Sequence, residues 1–424
     1  MRALRLLLAL MGAAAAAAAT IPAPSSLATC VDDVIAFARD ADVAIAAAQP
    51  APFAVRPPLF HLHVPRTAGR TLHGCLLTLA VPPSERCARA YGPGGGARAA
   101  KASGCTVLAS HDDASLLPLL PAGTGVIVQI RHPLARVLSA YEFAAESAAL
   151  AAAGVAAEAP KAPRSGGPRT PVAVVWPWSY LVPWVRGEME QGGAQCETKG
   201  ATVGPSQLKP LPLHTFVDSP LVADLIHNGA TLQVLGATNG SRARGAARVR
   251  ECVAASPAAA SAAADAAEAR LRRWATTGGA IGVSERLDES VGAVAAARGW
   301  SLSRGPAWPP SSLANGDKPL DVHKLGSAFR QCEGRTRDRS GRRRERAARV
   351  LGAAPLGAEG RALLPAELRA RILALNAADV RLHAVAGELL DTALGGRKVE
   401  LPQPPVQAAP AQRVRSAAAD ADEL

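Results

Sequence analysis

Two arginines and two threonines fall within the stretch Val64-Pro65-Arg66-Thr67-Ala68-Gly69-Arg70-Thr71, a pattern that suits an anion. A β-compatible run, Phe60 to Val64, leads into this turn, and a helix-compatible run, Leu72 to Leu77, leaves it. Strand, tight loop, helix is the reading. Such a loop aims backbone N–H groups and a helix N-terminus at one point, where Arg66, Arg70, Thr67 and Thr71 add further donors. The chemistry is phosphate or sulfate binding; the alternative is an ordinary strand-to-helix turn carrying two solvated arginines.

Two further strand ends carry polar residues. Gly125 to Ile130 is nearly all apolar, as a central parallel strand should be, and ends at Arg131-His132-Pro133 before a helical pattern from Leu134 to Leu150. Cys105 to Ser110 ends at His111-Asp112-Asp113. Ligands in open parallel sheets bind outside the carboxyl ends of the strands, so these ends imply one shared site. The fold class expected is α/β, a P-loop-like parallel sheet flanked by helices. A kinase-type loop is disfavoured, because Val64 holds the place of the first glycine and Arg70 that of the lysine.

Taken together, the loop and the segment from Ile130 to Tyr141 resemble the nucleotide grip of sulfotransferases that use 3′-phosphoadenylyl sulfate (PAPS). The loop looks like their 5′-phosphosulfate motif, and Arg131 followed eight residues later by Ser139 is similar to their 3′-phosphate motif. Ser110-His111-Asp112-Asp113 resembles the strand-end histidine region of heparan sulfate 6-O-sulfotransferases. The segments Trp176 to Trp184, His227 to Gln233 and Gly282 to Ser290 look most like plant-type tyrosylprotein sulfotransferases. The resemblance covers Leu59 to Trp300, with a fainter extension to Cys332.

It implies an in-line sulfuryl transfer from PAPS to a hydroxyl without a metal. Arg66, Thr67, Ala68, Gly69, Arg70 and Thr71 would hold the 5′-phosphosulfate, Arg131 and Ser139 the 3′-phosphate, and His111 would take the proton. Arg66 stands where the family has lysine. Arginine holds its proton at ordinary pH, so Arg66 would stabilise the leaving oxygen electrostatically rather than protonate it. Tyrosine in an acidic secreted peptide or protein is the favoured acceptor and an anionic, heparan-sulfate-like glycan the alternative; nucleic acid is not an expected partner. A catalytically inactive protein of this fold that binds PAP (the desulfated donor) or a glycan is the reading from another class.

The elements that must position these groups occupy only part of the 424 residues. Alanine runs inflate the 49% hydrophobic content while aromatics reach only 4%, so the compact part is expected to be shorter than the chain. The formal charge of +12 suits anionic partners. Residues 1–20 read as a secretory signal peptide, with a signal anchor as the alternative, so membrane association stays open. Seven cysteines in an oxidising lumen predict several disulfides and an odd one over, and Asn239-Gly240-Ser241 is a glycosylation sequon. The expected location is the Golgi lumen or secretory pathway.

The expected domains are a stalk or brace over 21–58, a catalytic domain over 59–335, a basic and amphipathic helical region over 336–396, and a Pro- and Ala-rich tail over 397–424. The basic run Arg335 to Arg349 reads as a solvated element, with a polyanion patch as the alternative. Trp176 to Trp184 reads as a core anchor, with a substrate wall as the alternative. His61, His63, His132, His214 and His227 lack the convergence that singles out His111; His61 and His63 read as strand residues.

Overall fold

The computed structural model describes residues 27–48, 58–82, 85–87, 105–154, 175–194, 208–302, 325–352, 361, 363–397, 399 and 401. The expected signal segment and most of the tail lie outside them.

Strands β1 (Leu59–Leu62), β2 (Val107–Ser110), β3 (Gly125–Ile130) and β4 (Ala280–Val283) form one parallel sheet in the order β2-β1-β3-β4. Every strand residue is buried, because helices cover both faces, and this is why the strands read as continuous apolar runs. The expected α/β class with a parallel sheet is borne out. From β1 the chain steps to β2 on one side and then to β3 on the other, a switch point of the kind at which open sheets bind ligands. Leu62 pairs with Ser110 of β2 and Val128 of β3, so the carboxyl ends of β1 and β2 are level.

Helix α1 (Cys30–Ala46) packs by Val34, Phe37 and Ala38 into the main core, and the Cys30–Cys252 disulfide ties it there. Helix α2 (residues 69–80) runs from Gly69–Thr71 through a π-helical turn, Leu72–Leu77, to Thr78–Ala80, and buries Leu72, Leu76 and Leu77. Helix α3 (Pro133–Ala152) starts with proline at its first turn, where the missing N–H costs nothing. Helix α4 (Trp178–Ala194) packs on α3.

The run from Leu221 to Leu235, which reads as one helix, is broken. Asn228 adopts φ 53°, separating Ala223–Ile226 from α5 (Gly229–Leu235). The cap comes from a distant helix: Asp379 accepts from the Ala230 and Thr231 backbone N–H groups and from Thr231 Oγ1. Helices α6 (Ala246–Ala255) and α7 (Pro257–Thr276) precede β4, and α8 (Leu287–Ala297) follows it.

Helix α9 (Leu325–Leu351) runs without a break across position 335. Its start joins the core around α2, reinforced by the Cys75–Cys332 disulfide, and its end buries Ala347 and Leu351 against α3. The amphipathic stretch from Ala366 to Leu390 splits at Asn376 into α10 (Ala366–Ala374) and α11 (Ala377–Leu394). Asp379 of α11 also pairs with fully buried Arg136 of α3 at 2.7 Å. A third disulfide joins Cys87 to Cys105. Cys196 lies outside the described residues. Among the described residues no helix is long and apolar enough to cross a membrane.

Candidate active site

The loop after β1 holds two non-glycine residues in the left-handed region, Arg66 at φ 70° and Ala68 at φ 60°. Such a conformation costs about 1–2 kcal/mol per residue, and strain of this kind collects at ligand clamps. Thr67 is buried and its Oγ1 donates to the Val64 carbonyl at 2.8 Å, so its hydroxyl braces the loop from within. Gly69 is required by close approach: a Cβ there would lie 2.1 Å from His63 Cδ2. Arg70 is exposed and Thr71 half-buried at the start of α2.

Arg66 Nε and Nη2 donate to Ser139 Oγ at 3.0 and 2.8 Å. Arg131 Nη1 donates to the Arg66 carbonyl at 3.0 Å. The structure therefore brings Arg66, Arg131 and Ser139 together, whereas the motif reading placed Arg66 with one phosphate and the other two with another. One turn beyond Ser139, the ring of Phe143 lies 4.7 Å from the Arg66 guanidinium. Glu285, just past β4, orients the far side of the site: it stands 3.8 Å from Arg131 Nε and accepts from the His132 N–H at 3.1 Å.

Burial, then the charges of Arg343 and Arg131, push the Arg66 pKa down to about 9, which leaves it cationic at neutral pH. Burial also lowers that of Arg131, against the opposing pull of Glu285. Guanidiniums crowded together are relieved by an anion, a chemistry that this corner suits.

His111 stands level with His63, because Leu62 and Ser110 are paired and each histidine follows its strand. His111 Nδ1 lies 2.6 Å from the Trp176 carbonyl, which can only accept, so the proton sits on Nδ1 and Nε2 is the basic nitrogen. That Nε2 meets His63 Nδ1 at 3.2 Å. Gln233 of α5 donates to the backbone carbonyls of His63 and His111 at 3.3 and 3.0 Å and locks the two strand ends together. Burial pushes the His111 pKa down to about 4, only partly offset by the bond to Trp176. His111 is thus the free base at neutral pH.

The His61 ring stacks on that of His63 at 5.4 Å, with His73 6.2 Å beyond. Burial holds His61 and His63 neutral as well. Among the described residues, no three His, Cys, Asp or Glu side chains are arranged to hold a metal ion. Trp176 holds His111 by its carbonyl and bonds Asn239 Oδ1 through Nε1 at 2.5 Å, whereas Trp178 is buried against Phe143. A cavity of about 660 Å³ opens between α1 and the segment 242–249, and shares no residue with this site.

His63, Gln233, Glu285 and Phe143 were not singled out as site residues by sequence reasoning. The first needs the register of β1 against β2. Phe143 and Glu146 follow Ser139 at four and seven residues, so they share its helix face, a signal that was readable.

Over 210 residues the chain is 38% identical to a protein-tyrosine sulfotransferase of Arabidopsis thaliana. The chain is thus similar to a protein-tyrosine sulfotransferase. The likeness agrees with the resemblance drawn from the motifs. It takes in 46% of this chain and 41% of that protein, so the chain matches about two fifths of its relative's length. No protein-family profile matches the chain, and no solved structure does.

Proposed function

We propose that this protein transfers the sulfuryl group of PAPS to tyrosine hydroxyls of secreted peptides or proteins. The observation that carries the reading is the joining of Arg66, Arg131 and Ser139 at the switch point of the sheet, with a tautomer-fixed histidine on the neighbouring strand end. Likeness to a protein-tyrosine sulfotransferase supports the choice of reaction.

The donor supplies the activated sulfuryl group and a nucleotide with phosphates at both ends. The backbone of residues 66–71 and the start of α2 would hold its 5′ end, and Arg131 with Ser139 its 3′-phosphate. His111 Nε2 accepts the phenolic proton. A phenol has a pKa of about 10 and an imidazole about 6.5, and burial makes His111 weaker still. The proton must therefore leave as the bond to sulfur forms, not before. Until the acceptor arrives, His63 holds the Nε2 lone pair. Arg66, cationic at neutral pH, lends charge to the departing nucleotide.

Three disulfides fit an oxidising lumen, so the secretory pathway and Golgi are the proposed location. Acidic residues beside the target tyrosine suit the net charge of +12. The test offers labelled PAPS with an acidic tyrosine peptide and a desulfated heparan side by side. Label on the peptide is the expected result. Label on the glycan alone sinks the tyrosine reading, and PAP binding without transfer to either makes the chain a binding protein.

A further inference from the structure

The basic run on α9 reads as a solvated element, and most of it is exposed, at Arg335, Arg337, Arg339, Arg342, Arg344 and Arg346. Arg343 is the exception. Its guanidinium lies 4.2 Å from the centre of the Phe143 ring, the ring that also carries Arg66 at 4.7 Å. It donates to Glu146 at 2.6 Å, and that carboxylate is almost wholly buried on the same face of α3 as Ser139 and Phe143. Helix α9 is held in place near both ends, by Cys75–Cys332 with Phe329 at one and by Ala347 with Leu351 at the other. Arg343 is thus delivered to this corner by a fixed element.

The geometry points to Arg343 as a determinant of nucleotide recognition: with Arg66, Arg131 and Ser139 it forms a composite site for the terminal phosphate on the 3′ side of the donor. This rests on the PAPS reading above. Three features carry it. Ser139 Oγ accepts both bonds from Arg66, so its own O–H proton is left to be donated, as a phosphate oxygen requires. The corner holds the guanidiniums of Arg66, Arg131, Arg343, Arg344 and Arg361 against the carboxylates of Glu142, Glu146 and Glu285: Arg361 bonds Glu142, Arg343 and Arg344 share Glu146, and Glu285 faces Arg131. A phosphate dianion supplies the missing negative charge, and fork-shaped guanidiniums stacked on a ring recognise it with direction. Finally, Arg343 depresses the Arg66 pKa, so the two charges already feel each other.

The nucleotides that test this are adenosine 3′,5′-bisphosphate (PAP) and adenosine 5′-monophosphate, titrated calorimetrically into the full chain and its Arg343→Gln variant. The inference predicts that PAP binding weakens by about tenfold or more while the monophosphate changes by less than about twofold, so discrimination for the 3′-phosphate shrinks. Unchanged PAP affinity, or equal weakening of both nucleotides, overturns it. Exposed Arg342→Gln is the control and should leave both affinities as they are. If Arg343→Gln does not fold, Arg343→Lys, which keeps the charge but not the fork, should lose discrimination in the same sense. Wild-type protein that binds neither nucleotide overturns the PAPS reading itself, an outcome distinct from a failure of Arg343.

Discussion

Arg66 spends two side-chain hydrogen bonds, at 3.0 and 2.8 Å, on the hydroxyl of Ser139, a residue that follows it by 73 positions. A lysine at the same place would have one nitrogen to offer and no plane to lay on Phe143. The arginine that stands where the resembled loop has lysine is therefore tied to the face of α3 that carries Ser139 and Phe143. Its carbonyl accepts in turn from Arg131, so the loop is bonded to the start of α3 through both its side chain and its backbone.

Removing that bridge should show first in binding. Arg131→Ala is expected to weaken PAP by roughly ten- to a hundredfold, the range for a lost charged hydrogen bond of about 1.5–3 kcal/mol, with some loss of melting temperature because the Arg66 carbonyl and Glu285 lose this partner. Calorimetric titration of PAP checks it.

The loop itself predicts opposite outcomes at adjacent residues. Ala68→Gly relieves a left-handed φ of 60° and should stabilise the protein by about 0.5–1 kcal/mol. Gly69→Ala drives a methyl into the His63 ring and should displace the loop, costing both stability and PAP affinity. Denaturant titration of the two variants, compared with wild type, separates the cases.

Acidity should act on stability through the buried histidines. The His111 pKa is about 4 in the fold, against about 6.5 for a free imidazole. On acidification the unfolded chain binds protons first, so stability is full above about pH 6.5 and is lost as pH falls towards 4. His111 alone accounts for on the order of 3 kcal/mol across that window, and His61 and His63 shift in the same direction. Melting temperature should drop steadily below pH 6.5. The same depression predicts kcat/KM without an acid limb near pH 6.5, which a pH–rate profile reads directly.

The buried pair Arg136–Asp379 ties α3 and α5 to the last long helix. Asp379→Ala leaves a buried guanidinium without its carboxylate and uncaps α5, and should cost about 3–5 kcal/mol. Thermal unfolding measures the loss.

The strands, the anion loop and the Arg131–Ser139 spacing were legible because each is local: apolar runs, a turn between strand and helix, and a helix of known pitch. What crosses between elements was not. His63 became part of the site only through the pairing of Leu62 with Ser110, and Glu285 only through the approach of β4 to β3. Arg343 looked like any other arginine in a basic run, since nothing in its neighbours shows that α9 folds back onto Phe143. The break at Asn228 was hidden for the same reason: its cap, Asp379, lies 148 residues beyond Thr231 in the chain.

Single-turnover transfer of labelled sulfuryl from PAPS to an acidic tyrosine peptide, with PAP affinity measured on the same preparations of wild type and His111→Ala, tests the central claim most directly. The account predicts label on the peptide tyrosine with wild type, its loss in the variant, and PAP affinity within about twofold between them, because His111 serves proton transfer and not the nucleotide grip. Undiminished transfer by His111→Ala, or loss of PAP binding along with activity, would contradict it.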